Sequence, residues 1–371
     1  MATAFGIIIP SRTRFHVEGL EDYRPIGSIS FLGRYRLIDF PISNMSNSNI
    51  DRIQIYARSN SRSLVEHVGN GSYYNINSKR GKLQVLFGEE SRVNDVYNTD
   101  IAAYYQNIEI IERMHQNYVI IAPAYMIYVQ DYDALLKQHI ESGADISLLY
   151  HKVNDAKTDY RNCNYRAMNR QKGVKSIEVN DAEKDERNIF MDTFVMSKEL
   201  FIELIRKARS ISSIFSLVRI INLESENLDI RAIQHKGYFA AITDFKSYYD
   251  ANLNLLKLDV AKQLFEPSWP IYTHTTDSSP VQYFEGAAIK NSVVANGSLI
   301  KGIVENSVIG RGVTIGKGAV VKNCIILGHC TIGDGIRLEN QVIDKWAKIQ
   351  NVDQLIADPD RPGYIRRDDV I

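Results

Sequence analysis

Apolar and polar residues are arranged along this chain in two different ways, and the change comes near residue 258. Before it, short continuous apolar runs, such as residues 6–9, alternate with stretches in which apolar residues recur every three or four positions. Strands of a parallel sheet are buried on both faces and form continuous apolar runs, while the helices that cover them are amphipathic. The alternation therefore predicts an α/β domain with a mainly parallel sheet and helices on both faces.

The same pattern predicts where the elements lie. We expect strands at residues 6–9, 52–57, 118–122, 146–150, 175–179, 189–196 and 230–235. We expect helices at residues 100–116, 131–142, 198–208, 214–223 and 244–258. Ligands of such sheets bind beyond the carboxyl ends of the strands, so a functional site is expected there.

A segment rich in proline and polar residues follows the last predicted helix. It contains Pro267, Pro270 and Pro280, and residues 273–279 are polar. Proline fixes one backbone dihedral and lacks an N–H group, which favours an extended connection. We therefore predict a first domain over residues 1–258, a linker over residues 259–284 and a second domain over residues 285–371.

Beyond the linker, apolar residues recur every six positions. Such a repeat is typical of a parallel β-helix, in which each hexad forms one short, flat strand. If three hexads make one coil, Cys324 and Cys330 lie on neighbouring faces, and we expect no disulfide between them. The repeating positions are Ile303, Ile309, Ile315, Val321 and Leu327, with a second row at Val313, Ala319 and Ile325.

The amino-acid composition limits the classes of binding partner and the cellular compartment that we expect for this protein. The 371 residues include 44 basic and 44 acidic side chains, so the net charge gives no electrostatic reason to expect a nucleic acid or a membrane surface as partner. The chain has three cysteines, no apolar stretch of membrane-spanning length and no secretory signal at its start. We expect a cytoplasmic protein.

Three stretches resemble the ADP-glucose pyrophosphorylases, which are the glucose-1-phosphate adenylyltransferases of glycogen and starch synthesis. Residues 31–44, FLGRYRLIDFPISN, resemble the family's FGGKYRIIDFPLSN, and residues 104–113, YYQNIEIIER, resemble the helix after its GTADA motif. Residues 238–256, YFAAITDFKSYYDANLNLL, resemble its YWxDVGTxxxYxxANLDL. With the hexads, the resemblance covers essentially the whole chain. It implies a Rossmann-like nucleotidyltransferase domain followed by a left-handed parallel β-helix.

The resemblance also implies what catalysis would require. In this family the phosphate of glucose 1-phosphate attacks the α-phosphorus of ATP, and a glycine-rich loop, a lysine and two magnesium-binding aspartates position and neutralise the phosphates. Where the family has that loop, residues 10–15 contain no glycine. The lysine position is Ile26, and the two aspartate positions are Tyr125 and Ala241.

The joint loss of these groups predicts a chain that is not catalytic by itself. Removing even one well-placed charge commonly costs on the order of 10²-fold in rate. Asp131 and Asp244 remain near the metal positions, but each precedes a predicted helix, where a carboxylate stabilises the helix N-terminus. We therefore predict that both aspartates cap helices.

This combination resembles the GlgD-type regulatory branch of the family. The resemblance implies no catalytic residue, metal site or cofactor in this chain, with magnesium and ATP bound at a catalytic partner subunit. It implies a hetero-oligomer, such as a tetramer, and leaves open a homo-oligomer of the chain alone. Two alternatives also stay open: an active sugar-phosphate nucleotidyltransferase with Asp131 and Asp244 as unconventional metal ligands, and a free-standing sensor that binds a sugar phosphate.

Basic residues lie within the first of these three stretches and shortly before it. In this family, basic residues near this point contribute to sites for phosphorylated effectors or substrates, so the resemblance indicates Arg24, Arg34 and Arg36 as candidate phosphate contacts. The other interpretation is that these arginines are paired on a solvated face.

Overall fold

The computed structural model of the protein describes residues 3–9, 15–57, 61–77, 79, 81–88, 97–168 and 173–371. Residues 10–14, in the loop that replaces the family's glycine loop, lie outside this described part. An α/β domain is followed by a β-helix, which confirms the predicted fold class. Among the described residues, no helix combines the length and the apolar character that crossing a bilayer requires.

The elements of the α/β domain are numbered in chain order. Its strands are β1 Ala4–Ile9, β2 Ser30–Phe31, β3 Tyr35–Arg36, β4 Arg52–Ala57, β5 Lys82–Phe87, β6 Tyr118–Pro123, β7 Met126–Tyr128, β8 Ile146–Val153, β9 Asn164–Met168, β10 Val174–Val179, β11 Arg187–Ser197, β12 Ile230–Gln234 and β13 Phe239–Ala241. Its helices are α1 Asp39–Asn47, α2 Arg62–Val68, α3 Asp100–Gln106, α4 Ile108–Glu112, α5 Tyr132–Ser142, α6 Lys198–Ile211, α7 Leu217–Leu223, α8 Phe245–Asn254 and α9 Leu258–Leu264.

In the described part of the chain, nine strands form the central sheet of this domain. β1 runs parallel to β4 and β6, and β5 extends this parallel part beyond β4. On the other side, β11 runs antiparallel to β6, β8 and β9, while β8 and β12 pair in parallel. The predicted parallel arrangement is thus found among β5, β4, β1 and β6. The apolar run of β11 crosses the sheet in the opposite direction, because apolar periodicity does not encode strand direction.

Some helices and strands begin or end at other residues than the apolar pattern predicts, and nearby side chains explain these differences. The helix predicted over residues 100–116 is divided at Asn107, whose side-chain amide donates to the carbonyl of Ala103 at 3.0 Å. Asparagine bonded to nearby backbone in this way competes with the helical hydrogen bonds. Strand β9, with the sequence NYRAM, has no continuous apolar run to reveal it. Within residues 259–284, predicted as a linker, the structure places most of α9 and the first strand of the β-helix.

The β-helix is built from three parallel sheets that form its three faces. Its strands are β14 Gln282–Tyr283, β15 Ala288–Lys290, β16 Val293–Val294, β17 Leu299–Ile300, β18 Ile303–Glu305, β19 Val308–Ile309, β20 Thr314–Ile315, β21 Val320–Lys322, β22 Ile325–Ile326, β23 Thr331–Ile332, β24 Arg337–Glu339, β25 Gln341–Ile343, β26 Lys348–Ile349, β27 Gln354–Ile356 and β28 Gly363–Ile365. Every third strand stacks in one face, so β15, β18, β21, β24 and β27 form one of them.

Stacked asparagines at one corner of the β-helix show the length of its coils. The Asn323 amide donates to the side-chain oxygen of Asn340, 17 residues further on, and the first coil at this corner measures 15 residues. Because these coils are shorter than three full hexads, the inward-facing row shifts by one position. Ile303, the first residue of the six-residue repeat, is 37% exposed, and Val304 is buried instead.

The two domains share one apolar core. The hydroxyl of Tyr249 in α8 donates to the backbone carbonyl of Asn323 in the β-helix at 2.7 Å. Side chains from the face of β16, β19, β22, β25 and β28 join the cluster of the α/β domain, which holds the two domains in a fixed relative position. They are Val308, Ile325, Leu327 and Val342.

Candidate functional site

The two positions where the family has metal-binding aspartates meet in the structure. β7 and β13 pair as an antiparallel ribbon in which Ala241 lies opposite Met126. The ribbon places Tyr125 beside Ile242, whose N–H donates to the Tyr125 carbonyl at 2.8 Å. The structure therefore brings Tyr125 and Ala241 to one place next to the end of β6, where a parallel sheet binds its ligands.

At the first of these two positions, Tyr125 has a buried ring and a buried hydroxyl. Its ring packs against Phe15, with ring centroids 4.9 Å apart, and its hydroxyl donates to the carboxylate of Asp192. The other oxygen of Asp192 accepts from the Asn164 amide at 3.1 Å. Asp192 lies at the irregularity of β11, with a left-handed φ of 46°. Both oxygens of this carboxylate thus accept hydrogen bonds from side chains of the chain itself.

The residues at these positions do not fit a magnesium ion. Magnesium is bound through carboxylates and water, and neither a methyl group at Ala241 nor the Tyr125 phenol replaces a carboxylate. Among the described residues, no group of three or more histidine, cysteine, aspartate or glutamate side chains is arranged to hold a metal. Ile26, where the family has its lysine, is buried in the apolar core.

The two remaining aspartates have structural roles, as predicted. Asp131 accepts from the N–H of Ala134 at 3.0 Å and begins α5. Asp244 accepts from the N–H of Ser247 at 2.7 Å, while its own N–H donates to the Ser247 hydroxyl at 3.0 Å. This reciprocal pair is a capping box, which stabilises the first turn of α8.

A cavity of about 480 Å³ opens beside Ala241. The rings of Tyr160 and Phe239 stack in its wall with centroids 5.4 Å apart, and Lys257 adds one cation. Burial raises the pKa of Asp159, and neighbouring carboxylates raise it further. The carboxylates in the wall are Asp155, Asp159 and Asp250. This cavity offers acidic and aromatic groups, not the surplus of cations that a triphosphate needs.

A second cavity, of about 310 Å³, lies where the α/β domain, the connecting segment and the β-helix meet. Two of the predicted phosphate contacts, Arg34 and Arg36, lie in its wall. Further basic side chains, which no sequence motif groups together, complete it from three other parts of the chain. They are His67, His274, Arg311, His329 and Lys345.

Basic side chains outnumber acidic ones in the wall of this basic cavity. Burial and then the neighbouring guanidinium groups lower the pKa of Lys345 to about 7. The pKa values of Arg36 and Arg311 are lowered as well, mainly by burial. Among the described residues of the wall, Glu66 is the one acidic side chain, and it pairs with Arg62. A bound anion would relieve this accumulation of charge.

Several of the basic groups are held in place by the fold. The Arg311 guanidinium donates from Nη2 to the carbonyl of His274 at 3.0 Å, while its buried Nε has no hydrogen-bond partner in the described part of the chain. The Nε2 atom of His67 lies 2.6 Å from a carboxylate oxygen of Asp39, which also accepts from the Tyr74 hydroxyl at 2.7 Å. A cavity with pre-positioned donors and one unsatisfied guanidinium N–H suits an anion.

The hairpin that carries Arg34 lies tightly against the β-helix. Gly33, in the turn of this hairpin, has a φ of 72°, and a Cβ atom there would lie 2.7 Å from the carbonyl oxygen of Ile309. Only glycine combines this backbone conformation with such a close approach. The sequence motif around Gly33 therefore also positions Arg34 beside the β-helix.

Arg24 does not reach this cavity. Its guanidinium binds the carboxylate of Asp344, in the β-helix, through Nη2 at 2.7 and 2.8 Å, and both side chains are buried. The structure therefore places Arg24 in the contact between the domains, while its Nη1 atom has no hydrogen-bond partner among the described residues.

Fold and site together define a chain of the nucleotidyltransferase class with a hexapeptide β-helix. Residues 24–160 match the family described as "Nucleotidyl transferase", and residues 281–363 match that described as "GlmU-like, C-terminal hexapeptide". The chain belongs to the family of the GlgD glycogen biosynthesis proteins and the glucose-1-phosphate adenylyltransferases.

Individual relatives support this membership over nearly the whole chain. The glycogen biosynthesis protein GlgD of Geobacillus stearothermophilus is 34% identical over 315 residues, which cover 82% of this chain and 80% of that protein. GlgD of Bacillus subtilis is 28% identical over 364 residues, or 98% of this chain and 95% of that protein. A glucose-1-phosphate adenylyltransferase of Clostridium perfringens is 29% identical over 310 residues, or 82% of this chain and 78% of that protein.

Proposed function

We propose that this chain is a non-catalytic subunit of glycogen biosynthesis in the cytoplasm. In this proposal it binds a catalytic glucose-1-phosphate adenylyltransferase, in a hetero-oligomer such as a tetramer, and raises the activity of that partner. ATP and magnesium act at the partner's site. The relatives named GlgD support the place in glycogen biosynthesis.

One observation carries the proposal. Tyr125 and Ala241 lie at adjacent, diagonal positions where β7 and β13 meet, and the Tyr125 hydroxyl donates to the carboxylate of Asp192. A site that has lost both metal carboxylates cannot neutralise the charge that develops on a transferring nucleotide. The fold around it is intact, which is expected of a subunit that acts through contacts with a partner.

The basic cavity supports a regulatory role. It joins both domains, because Arg36 comes from the α/β domain and Arg311 and Lys345 come from the β-helix. An anion bound there, such as a phosphorylated metabolite, would link the two domains and could thereby bias their arrangement toward the form that activates the partner.

The alternative of an active nucleotidyltransferase requires Asp131 and Asp244 as metal ligands. Both carboxylates accept backbone hydrogen bonds at helix N-termini, which disfavours this role. The alternative of a free-standing sensor shares the basic cavity with our proposal, but it predicts no effect on a catalytic homologue.

Co-expression with the catalytic homologue of the same organism tests the proposal. We expect the two chains to co-elute as one species larger than either alone, and we expect faster ADP-glucose synthesis than with the catalytic chain by itself. Arg311→Gln should weaken any response to phosphorylated effectors, whereas Arg366→Gln, an exposed arginine outside the cavity, should leave it unchanged. Separate elution with unchanged kinetics would contradict the proposal.

A further inference from the structure

The central sheet of the α/β domain ends at β5, which is paired along one edge. In the described part of the chain, β5 pairs in parallel with β4 and with no other strand. The N–H of Lys82 donates to the carbonyl of Asp51, just before β4, at 2.8 Å. Because successive residues of a strand direct their backbone groups to opposite sides, the even-numbered residues of β5 bond toward β4. The odd-numbered residues direct theirs to the other edge, and they are Leu83, Val85 and Phe87.

This other edge of β5 is open. Within the described residues, the N–H groups of the three odd-numbered residues make no hydrogen bond, and the Phe87 carbonyl accepts only the Asn107 amide, at 3.4 Å. At the opposite end of the sheet, the edge of β10 is covered. There the Asn222 side chain donates to the Ile177 carbonyl at 2.8 Å and accepts from the Ile177 N–H at 2.9 Å. β10 also has an irregular register, whereas the register of β5 is regular.

The side chains along the open edge are apolar. The three odd-numbered residues lie on one face of the sheet. Leu83 and Val85 are half-buried, and Phe87 is 57% exposed. Edge strands of natural proteins usually carry charges, prolines or bulges that prevent another strand from adding to them. In β5, with the sequence KLQVLF, one charge at Lys82 is the only such device.

We propose that β5 pairs with β5 of a second copy of the chain, antiparallel, about a two-fold axis that passes beside Val85. In this register Val85 lies opposite the partner's Val85, and Leu83 lies opposite the partner's Phe87. Each outward N–H then meets an outward carbonyl of the other copy, as in the closely spaced pairs of an antiparallel ladder. The two central sheets become one continuous sheet, and Phe87 packs against an apolar side chain.

The open edge selects this occupant and this register. Backbone groups in a row require a strand as partner, and β5 is complementary to itself because all of its outward residues are apolar. A shift of one residue would place outward groups of one copy opposite groups of the other copy that bond to β4. A shift of two residues toward the start of β5 would place Phe87 opposite Gly81. The inference does not depend on the proposed regulatory function, because the isolated chain would pair in this way without any other subunit.

Val85→Cys tests the pairing, because the proposed axis brings this residue next to its own copy. Residues opposite each other in a hydrogen-bonded antiparallel pair have Cα atoms about 5.5 Å apart, which suits a disulfide bond. The full-length variant, oxidised with copper phenanthroline, should therefore run mostly as a covalent dimer on a non-reducing gel. The three cysteines of the natural chain are buried, so the wild type should not cross-link.

Phe87→Cys is the matched control for direction and register. Phe87 is more exposed than Val85, but the proposed pairing places it about 14 Å from its own copy along the strand direction. Phe87→Cys alone and Leu83→Cys alone should not cross-link, whereas a mixture of these two variants should. Leu223→Cys, at a side chain that is 55% exposed at the end of α7, measures cross-linking by random collision.

Thermal melting checks that each variant folds. If Val85→Cys does not fold, the mixture of Leu83→Cys and Phe87→Cys decides. Cross-linking of Val85→Cys no faster than that of Leu223→Cys would overturn the proposal, and so would a mixture that stays uncross-linked. Phe87→Cys that cross-links by itself as readily as Val85→Cys would also overturn it, since the strands would then pair in another direction or register. Cross-links of Val85→Cys that form only when another protein is added would assign the edge to that protein and contradict the pairing of two copies.

Discussion

Arg24 and Asp344, 320 residues apart in the chain, form a buried ion pair with distances of 2.7 and 2.8 Å between Nη2 and the carboxylate oxygens. Asp344 also accepts from the Tyr364 hydroxyl at 3.1 Å and from the backbone N–H of Lys345 at 2.7 Å. Arg24 belongs to the α/β domain and Asp344 to the β-helix, so this pair joins the domains beside the basic cavity. It fixes the position of Lys345, which lines that cavity.

Removing one partner of this pair should destabilise the protein strongly. Arg24→Ala leaves Asp344 buried without its cation, which typically costs about 3–5 kcal/mol. Urea unfolding measures the change. Arg62→Ala, which breaks the exposed pair with Glu66, is the control and should cost at most about 1 kcal/mol. Equal stability of the two variants would show that the Arg24 contact does not hold the domains together.

The buried hydroxyl of Tyr125 gives a second prediction. Tyr125→Phe keeps the ring contact with Phe15 but removes a donor from the Asp192 carboxylate, so unfolding free energy should fall by about 1–3 kcal/mol. Tyr73→Phe, at an exposed ring, is the control and should change stability little. A Tyr125→Phe variant as stable as the wild type would mean that the hydroxyl does not satisfy Asp192.

Sequence reasoning could predict the parts of the structure that depend on local pattern. Continuous apolar runs revealed β4 and β6, and the positions of Asp131 and Asp244 before helical stretches revealed their capping roles. Resemblance to a family revealed Tyr125 and Ala241 as altered positions, and the β7–β13 pairing shows that they are neighbours.

What depends on distant contacts could not be predicted in this way. The basic cavity collects His67, Arg311 and Lys345 from segments that meet only after both domains have folded. The ion pair of Arg24 could not be predicted, because its partner Asp344 lies at the other end of the chain. The inward-facing positions of the β-helix depart from a strict period of six, because its coils measure 15 and 17 residues.

A buried histidine should make stability depend on pH. Nδ1 of His235 lies 3.1 Å from Nδ1 of His151, and its Nε2 lies 3.0 Å from the carbonyl oxygen of Val129. Burial lowers the pKa of His235 to about 4, so the unfolded chain takes up a proton at higher pH than the folded one. Stability is therefore fully present above pH 6.5, the ordinary pKa, and is lost as pH falls toward 4.

The effect can be isolated by substitution. When the pH falls from 7 to 4, the lowered pKa of folded His235 should decrease the unfolding free energy of the wild type by up to about 3 kcal/mol. Urea unfolding at each pH measures this change. His235→Gln keeps a side-chain donor for the Val129 carbonyl but does not titrate. Its unfolding free energy should therefore fall by about 3 kcal/mol less than that of the wild type over the same pH range. Parallel pH profiles for the two proteins would contradict the assignment.

The depressed pKa of Lys345 gives a prediction for anion binding. Lys345 loses its proton as pH rises through about 7, so the basic cavity loses one positive charge. Sulfate, whose own charge is constant here, should bind at least about fivefold more weakly at pH 9 than at pH 7.5. Calorimetry measures the affinity, with Lys345→Met as the test variant and Lys348→Met as the control.

Lys345→Met should abolish this pH dependence, whereas Lys348→Met should retain it. If sulfate binds both variants with the pH dependence of the wild type, or does not bind the wild type at all, Lys345 is not part of an anion site.

The central claim is that this chain cannot transfer a nucleotide by itself, because Tyr125 and Ala241 stand where the family has its two metal-binding aspartates. The most direct measurement is ADP-glucose formation by the purified chain alone, with ATP, glucose 1-phosphate and magnesium, assayed beside a catalytic glucose-1-phosphate adenylyltransferase. We predict a rate no greater than about one-hundredth of that enzyme's. A turnover comparable to that of the catalytic enzyme would contradict the claim.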